Sequence, residues 1–225
     1  LITDHNAQPK FSYDQVITID PQGDNWRDQG QQWRNFGRHL AYELSPYNQT
    51  ILLDTDYLVL DDSLLKILDT NRDYRLQHHN QNYQGAVYER MGETSLPYVW
   101  ATVVVFNKTE KARLLFDFVG RVQRNYNYYR ALYNIREGNY RNDYAFAIAN
   151  IVINGYDINE SQGIPWHMLT IEDPIRNMNL ADTQLRVHHD NTAVVLPRQC
   201  LHVMDKQYLQ TEEFAHLVEK ICEPA

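Results

Sequence analysis

The sequence predicts an α/β domain, because apolar segments of strand character alternate along the chain with segments of helical periodicity. The clearest strands are residues 51–53 and 98–106, since short apolar runs between turn-forming residues are typical of buried strands. The clearest helix is residues 109–133, in which apolar side chains recur on one face. With 225 residues, of which 43% are hydrophobic, the chain suits a single domain, 1–225.

The other elements follow from the same two patterns. Further strands are predicted at residues 1–3, 16–19, 57–60, 165–171, 185–188, 193–196 and 201–204. Further helices are predicted at residues 33–44, 61–68, 142–153 and 211–222. The first of these helices ends at Ser45 and Pro46, because proline cannot continue a helix. The polar stretch 72–96 has no clear period and is interpreted as a flexible substrate loop.

Charge is distributed unevenly along the chain. The net charge of −8 argues against a general electrostatic attraction to nucleic acid. Between residues 111 and 141, however, only Asp117 and Glu137 are acidic. The basic residues of that segment are Lys111, Arg113, Arg121, Arg124, Arg130, Arg136 and Arg141. This segment is therefore a candidate contact for a polyanion.

Cysteine content and hydropathy bear on location. Cys200 and Cys222 are too few for a disulfide framework in a chain of this length, which favours a reducing compartment, the cytoplasm. No segment approaches the roughly twenty apolar residues needed to cross a bilayer. The chain opens on an apolar triplet without Met, so we expect further sequence upstream of Leu1.

Two carboxylates flank Thr55 at the end of the predicted strand 51–53. They belong to Asp54 and Asp56, and a second apolar run follows them. Carboxylate oxygens are preferred ligands of Mg²⁺ and Mn²⁺, and such ions keep open positions for substrate phosphates. The pattern indicates a binding site for a metal–diphosphate complex, although Asp-x-Asp also occurs in polar turns between strands.

The local order is a helix, Leu44-Ser45-Pro46-Tyr47, an apolar strand, Asp54-Thr55-Asp56, an apolar strand and a short helix. This order resembles the nucleotide-sugar-dependent glycosyltransferases of the GT-A fold, and is most similar to their glycogenin and galactosyltransferase-like group. The resemblance extends from Leu1 to about Lys206, and we expect a viral (phage) or bacterial member.

The resemblance implies a Rossmann-like fold, in which a mixed and mainly parallel sheet is flanked by helices. Its first strand, which contacts the nucleotide base, would precede Leu1 and is expected to be missing here. Residues 1–60 would form the nucleotide-sugar-binding half. Residues 61–225 would form the acceptor half and carry the C-terminal metal-ligand segment.

The resemblance also assigns roles near the Asp-Thr-Asp motif. Asp54 and Asp56 would bind the Mn²⁺ or Mg²⁺ that bridges the diphosphate of the donor, a UDP-sugar, and neutralises its charge as the glycosidic bond breaks. Thr55, which lies between the two aspartates, is expected to contribute to binding of the donor. Arg38, or Arg34 one turn earlier on the same helix face, would contact donor phosphate or sugar. Both arginines also fit a solvated helix surface.

A polar pair at the start of the predicted helix 142–153 is a second candidate. Family members carry an Asp-Gln pair at this place, near the sugar, and this chain has Asn142 and Asp143. The resemblance makes both candidate catalytic residues, with Asp143 hydrogen-bonding a sugar hydroxyl or positioning the acceptor. Either residue also fits the cap of the helix.

A histidine near the C-terminus completes the metal shell in the family. His202 stands in the matching place, and Lys206 would contact the diphosphate. The spacing between them is shorter than the family pattern, and the intervening glycine is absent. The rival histidines are His167, His188 and His189.

The sequence departs from the family where the donor sugar is held. Family members show Asn-Ser/Ala-Gly at the start of the second core strand, whereas this chain has Trp100, Ala101 and Thr102. The identity of the sugar is therefore not transferable, and the resemblance implies only a hexosyl- or pentosyltransferase. Retention of anomeric configuration is what the resemblance implies.

The acceptor side is predicted at the Arg/Tyr-rich segment, residues 121–141. Basic residues interleaved with aromatic ones suit a phosphate backbone with stacked bases, and they equally suit a carbohydrate. The acceptor hydroxyl would belong to a glycan or to a hydroxylated base in DNA, which would have to be flipped out of a duplex. An ordinary solvated amphipathic helix is the simpler alternative.

Two other functions remain open at the level of sequence. One is a non-catalytic GT-A-like protein that binds glycan or nucleic acid, against which the intact Asp54 and Asp56 speak. The other is a nucleotidyltransferase, which also needs carboxylates for metal but commonly carries a Gly-rich basic loop near its N-terminus.

A viral member would act in the host cytoplasm, and a luminal catalytic domain is the less favoured location.

Overall fold

The chain folds as a mixed α/β structure in which several sheets are flanked by helices. It is seen in a computed structural model that describes residues 1–3, 12–20, 36–68, 71–88, 96–157 and 163–222. The α/β class predicted from the sequence is thus confirmed. In these ranges, no helix has the length and apolar character needed to span a bilayer.

Strands and helices alternate over most of the described chain. The strands are β1 (Ile2–Thr3), β2 (Ile17–Thr18), β3 (Gln49–Leu53), β4 (Tyr57–Leu58), β5 (Tyr74–Gln77), β6 (Asn80–Asn82), β7 (Val87–Tyr88), β8 (Trp100–Asn107), β9 (Met168–Ile171), β10 (Asn177–Leu180), β11 (Gln184–His188), β12 (Ala193–Pro197) and β13 (Leu201–Val203). The α-helices are α1 (Ala41–Leu44), α2 (Glu110–Arg124), α3 (Tyr126–Leu132), α4 (Asn142–Ile153) and α5 (Glu212–Cys222). Short 3₁₀ helices cover Arg38–Leu40, Ser63–Ile67 and Tyr208–Gln210.

Two sheets matter for the site. One has three strands in the order β3–β8–β5, and both of its pairings are antiparallel. The other has five strands in the order β4–β13–β9–β6–β7, with parallel pairing of β9 to β13 and to β6. Since β3 and β4 are separated only by the Asp-Thr-Asp turn, the chain passes there from one sheet to the other.

Most strand pairings in the described ranges are antiparallel, so the expectation of a mainly parallel sheet is wrong for this part of the chain. Besides the pairings of β9, the short β1–β2 pair is parallel. The strand β8, predicted at residues 98–106, is the middle strand of its sheet.

Three apolar clusters hold the layers together. The first packs α2 and α4 on β8 and includes the rings of Tyr42, Phe106, Phe116 and Phe146. The second lies between the five-stranded sheet, the antiparallel β10–β12 sheet and α5. The third fills the space around Trp100, Met168 and neighbouring side chains between the two sheets that meet at the Asp-Thr-Asp turn. The turn is therefore braced by packed layers on both sides.

Several sequence-based assignments differ from the structure. Residues 33–35 of the helix predicted at 33–44 lie outside the described ranges, and its described part is a 3₁₀ helix, Arg38–Leu40, followed by α1. The stretch 72–96, predicted as a loop, contains β5, β6 and β7, while its residues 89–95 lie outside the described ranges. The single helix predicted at 109–133 is two helices, because Asn125 leaves the helical conformation and its backbone and side-chain N–H groups cap α2. Strand β10 was not predicted, although its four residues alternate between polar asparagines and buried apolar side chains.

Candidate functional site

The Asp-Thr-Asp turn is fixed by backbone hydrogen bonds to both sheets. The Asp54 N–H donates to the carbonyl of Thr102 on β8 at 3.0 Å, and the Tyr57 N–H donates to the Asp54 carbonyl at 3.2 Å. The Asp56 carbonyl accepts from the Val203 N–H on β13 at 2.9 Å. The two carboxylates therefore lie at the junction of the sheets, each held by a different one.

Arg38 lies against the first aspartate. Its Nη1 donates to Asp54 Oδ1, and the side chain of Thr102 also hydrogen-bonds that carboxylate. Burial alone would raise the pKa of Asp54, but the positive charge of Arg38 and these hydrogen bonds hold that pKa below its usual range. Asp54 is thus a carboxylate at neutral pH. Arg34, the alternative to Arg38, lies outside the described residues.

The guanidinium of Arg38 retains hydrogen-bonding capacity. Only 13% of its side chain is exposed, yet Nε and Nη2 have no hydrogen-bond partner among the described residues. Buried N–H groups without an acceptor cost about 1–3 kcal/mol each. Buried N–H donors of this kind suit a site for an anionic ligand, because the oxygens of the ligand would accept their hydrogen bonds.

The second aspartate is more deeply buried than the first. Its side chain is 9% exposed, and Oδ2 is contacted both by Lys206 Nζ and by His202 Nε2, the latter at 3.4 Å. The other oxygen, Oδ1, is buried and has no hydrogen-bond partner in the described part of the chain. Lys206 therefore pairs with Asp56 in the structure, whereas the sequence predicted it at the diphosphate.

His202 lies on β13, between β4 and β9. Its ring is buried and packs edge-on against Trp100, with ring centroids 5.5 Å apart. Burial lowers the pKa of the His202 imidazole below its usual range. Three carboxylates act on that pKa in the opposite direction: Asp54, Asp143 and Glu172. The net shift leaves a neutral ring at neutral pH, the form that can donate a lone pair to a metal.

The rival histidines are engaged elsewhere. His167 stacks on His79, with ring centroids 5.2 Å apart. His189 stacks on Tyr83, and its Nδ1 lies 2.8 Å from the Pro174 carbonyl. His188 pairs within the β10–β12 sheet. Of the four candidates, His202 is the one whose ring faces Asp56.

Asp143 connects α4 to the start of β8. Its Oδ1 accepts from the Ala101 N–H at 3.0 Å, and its Oδ2 accepts from Arg141 Nη2 at 2.8 Å. These are not helix-capping bonds, since Arg141 is the N-cap residue and makes no side-chain cap. Asn142 is buried, and its Oδ1 accepts from the Tyr140 hydroxyl at 3.0 Å. Asp143 is therefore the member of the pair that borders the site.

Glu172 is a carboxylate near the site that the sequence analysis missed. It follows β9 directly, where Ile171 pairs with Val203 and the Met204 N–H donates to the Ile171 carbonyl at 2.9 Å. This register brings it beside the end of the strand that carries His202. The available signal was its position immediately after a predicted strand, which is the same signal that marked Asp54.

The donor types around the motif fit a hard or borderline divalent cation such as Mn²⁺. Two carboxylates and a neutral imidazole are suitable ligands, and Asp56 Oδ1 is a buried oxygen in need of a partner. Among the described residues, however, no three His, Cys, Asp or Glu side chains already converge as a metal site. The chain's own cations, on Arg38 and Lys206, contact the two carboxylates instead.

A cavity of about 590 Å³ opens beside Thr55. Residues of β1, β2, β3 and α1 contribute to its walls, together with the segment 12–15. Its volume lies within the range of about 300–1,000 Å³ that is typical of small-molecule sites. Thr55 both belongs to the Asp-Thr-Asp motif and lines this cavity.

The Arg/Tyr-rich segment differs from its prediction. Three of its tyrosines are buried in the core and unavailable for stacking: Tyr126, Tyr129 and Tyr140. Phe36 stacks on Tyr140, with ring centroids 5.3 Å apart. Tyr128, with 64% of its surface exposed, and the arginines Arg121, Arg124 and Arg136 remain at the surface. The aromatic periodicity of the segment therefore reflects packing more than recognition.

No family model, curated protein or solved structure matches this chain.

Proposed function

We propose that the chain is a metal-dependent glycosyltransferase that moves a sugar from a nucleoside diphosphate donor to an acceptor hydroxyl. The observation that carries the proposal is that Arg38 pairs with Asp54 while His202 faces Asp56, with Asp54 and Asp143 near enough to act on the pKa of His202. Asp143 and His202 are far from the Asp-Thr-Asp motif in sequence, and the chemistry of these side chains suits a metal-bound diphosphate. Random surface polarity would not bury an arginine beside an aspartate with N–H groups that lack a partner among the described residues.

Each group has a part in this proposal. Asp54, Asp56 and His202 would hold Mn²⁺ or Mg²⁺, which when bound neutralises charge on the diphosphate. Arg38 would donate its free N–H groups to phosphate oxygens. The nucleoside, proposed to be uridine, would lie in the cavity beside Thr55. The tight packing of Trp100 on His202 would limit the space for the sugar.

The chemistry is a displacement at the anomeric carbon. The bond from that carbon to the diphosphate oxygen breaks, the acceptor oxygen bonds to the carbon, and the diphosphate leaves. In the retaining course that the resemblance implies, the departing phosphate takes the acceptor proton. Asp143 borders the sugar or acceptor and orients it through one of its carboxylate oxygens. The acceptor is a glycan or a hydroxylated DNA base.

A panel of nucleotide sugars tests the proposal. The purified chain is incubated with UDP- and other nucleoside diphosphate sugars, with Mn²⁺ or with a chelator, and release of nucleoside diphosphate is measured. We expect slow hydrolysis of one donor class that requires the metal. A chain that binds none of the donors would contradict the proposal, and release of pyrophosphate from nucleoside triphosphates would favour the nucleotidyltransferase instead.

Arg38→Lys provides a sharper test of the phosphate contact. Lysine keeps the positive charge opposite Asp54 but removes the planar fork of donors, so we expect the Kd for UDP to rise about tenfold or more. Isothermal titration calorimetry in the presence of Mn²⁺ measures this. The matched control is Arg113→Lys, at an exposed arginine of α2 paired with Glu110 and Asp117. Equal UDP affinities for the two variants would remove Arg38 from the site.

A further inference from the structure

Both carboxylates of the Asp-Thr-Asp turn are paired with a cation from the chain itself. Arg38 contacts Asp54, and Lys206 contacts Asp56. The Asp56 oxygen that Lys206 contacts, Oδ2, is also the oxygen that faces His202 Nε2 at 3.4 Å. The ammonium group therefore competes for the carboxylate edge that a divalent cation would share between Asp56 and His202.

Arg38 and Lys206 differ in how readily their side chains can move away from the aspartates that they contact. The side chain of Arg38 is 13% exposed, whereas that of Lys206 is 62% exposed. Lysine carries its charge at the end of a flexible four-carbon chain, so its ammonium group can swing into solvent without moving the backbone. Of the two pairs, the one at Asp56 is thus the one that can exchange.

The backbone beneath Lys206 is firmly held. Asp205 Oδ1 accepts from the N–H groups of Gln207 at 3.0 Å and Tyr208 at 3.1 Å, and its Oδ2 accepts from the Ile175 N–H at 2.8 Å. These bonds fix the turn after β13. Any exchange at Asp56 is therefore confined to the Lys206 side chain, and its ammonium group stays within reach of the site.

We propose that Lys206 is an internal counter-ion of Asp56, that a divalent cation displaces it, and that the displaced ammonium group favours binding of the donor diphosphate. The inference rests on the proposed function, since it assumes that the motif binds metal. An ammonium group and a divalent cation repel each other at one carboxylate oxygen, so the two occupants exclude one another. Once displaced, the ammonium group of Lys206 is no longer paired with Asp56 and can interact with the diphosphate. Metal and nucleotide therefore bind with positive coupling that is reciprocal.

Mn²⁺ titrations of the full chain test the exchange. Free Mn²⁺ is measured by electron paramagnetic resonance, with and without UDP, for the wild type, Lys206→Met and Lys206→Arg. Without UDP, Lys206→Met should bind Mn²⁺ about fivefold or more tightly than the wild type, because the competitor is gone. UDP should strengthen Mn²⁺ binding in the wild type and much less in Lys206→Met. Lys206→Arg keeps a cation and should resemble the wild type.

A matched control separates this effect from a general change in charge. Lys66→Met removes a lysine that is 68% exposed and paired with Asp62 on a surface turn, so its Mn²⁺ affinity should equal that of the wild type. Unchanged or weaker Mn²⁺ binding in Lys206→Met, with binding lost in Asp56→Asn, would overturn the inference and leave the proposed function standing. Absence of Mn²⁺ binding in both the wild type and Lys206→Met would overturn both.

Discussion

Asp56→Asn is expected to reduce metal-dependent donor hydrolysis by on the order of 1,000-fold. The substitution keeps the size of the side chain and removes the negative charge that His202 and Lys206 face. An amide is a poorer ligand for Mn²⁺ than a carboxylate and leaves the leaving group's charge less compensated. Release of UDP from the active donor, followed at saturating Mn²⁺, measures the loss.

The matched control is Asp62→Asn. Asp62 lies only a few residues away but is exposed and pairs with Lys66 on the surface, where a salt bridge contributes about 0–1 kcal/mol. That variant should hydrolyse the donor at the wild-type rate. Both variants should show the circular dichroism spectrum of the wild type. Hydrolysis that survives in Asp56→Asn would remove this aspartate from the metal site.

Phe116→Ala is expected to lower the free energy of unfolding by about 3–5 kcal/mol. The ring of Phe116 is buried on α2 and meets the rings of Phe106 on β8 at 4.8 Å and Phe146 on α4 at 5.5 Å. Its removal leaves a cavity between the sheet and both helices. Thermal unfolding should occur roughly 10 °C lower, since about 2–4 °C accompany each kcal/mol in a chain of this size.

The control for this substitution lies on the same helix. Leu114 is 44% exposed on α2, so Leu114→Ala should change the free energy of unfolding by less than about 0.5 kcal/mol. Urea titration of both variants gives the comparison. A loss below about 1 kcal/mol for Phe116→Ala would mean that the α2 interface rearranges around the missing ring, and would contradict close packing of this cluster.

The apolar periodicity of the sequence correctly predicted the strands and the helix that carry the candidate site residues. The strand before Asp54, the strand that carries His202 and the helix that begins at Asn142 all occur where the periodicity placed them. These elements are strongly apolar, and burial of apolar residues is the dominant signal in a sequence. The α/β class followed from the same signal.

The sequence did not predict which strands pair with each other or which distant side chains come into contact. Antiparallel β8 and the strands between residues 74 and 88 depend on backbone hydrogen bonds to distant segments, which no local period encodes. The burial of Tyr126 and Tyr129 depends on the break at Asn125, which redirects the next helix. The contact of Lys206 with Asp56 joins two turns that are 150 residues apart in sequence.

The position of β13 has a consequence for synthesis of the protein. In the described part of the chain, β4 pairs only with β13, and β13 is formed by residues 201–203, late in the sequence. A nascent chain that has not yet released this strand from the ribosome lacks both the partner of β4 and the imidazole beside Asp56. Domains fold progressively as the chain emerges from the ribosome, beginning at the N-terminus. The three-stranded sheet β3–β8–β5 and the helices α2 and α4 that pack on it can therefore form before β13 is available. The pairing of β4 with β13, and with it the proposed site at Asp56, therefore forms only after residues 201–203 have emerged from the ribosome.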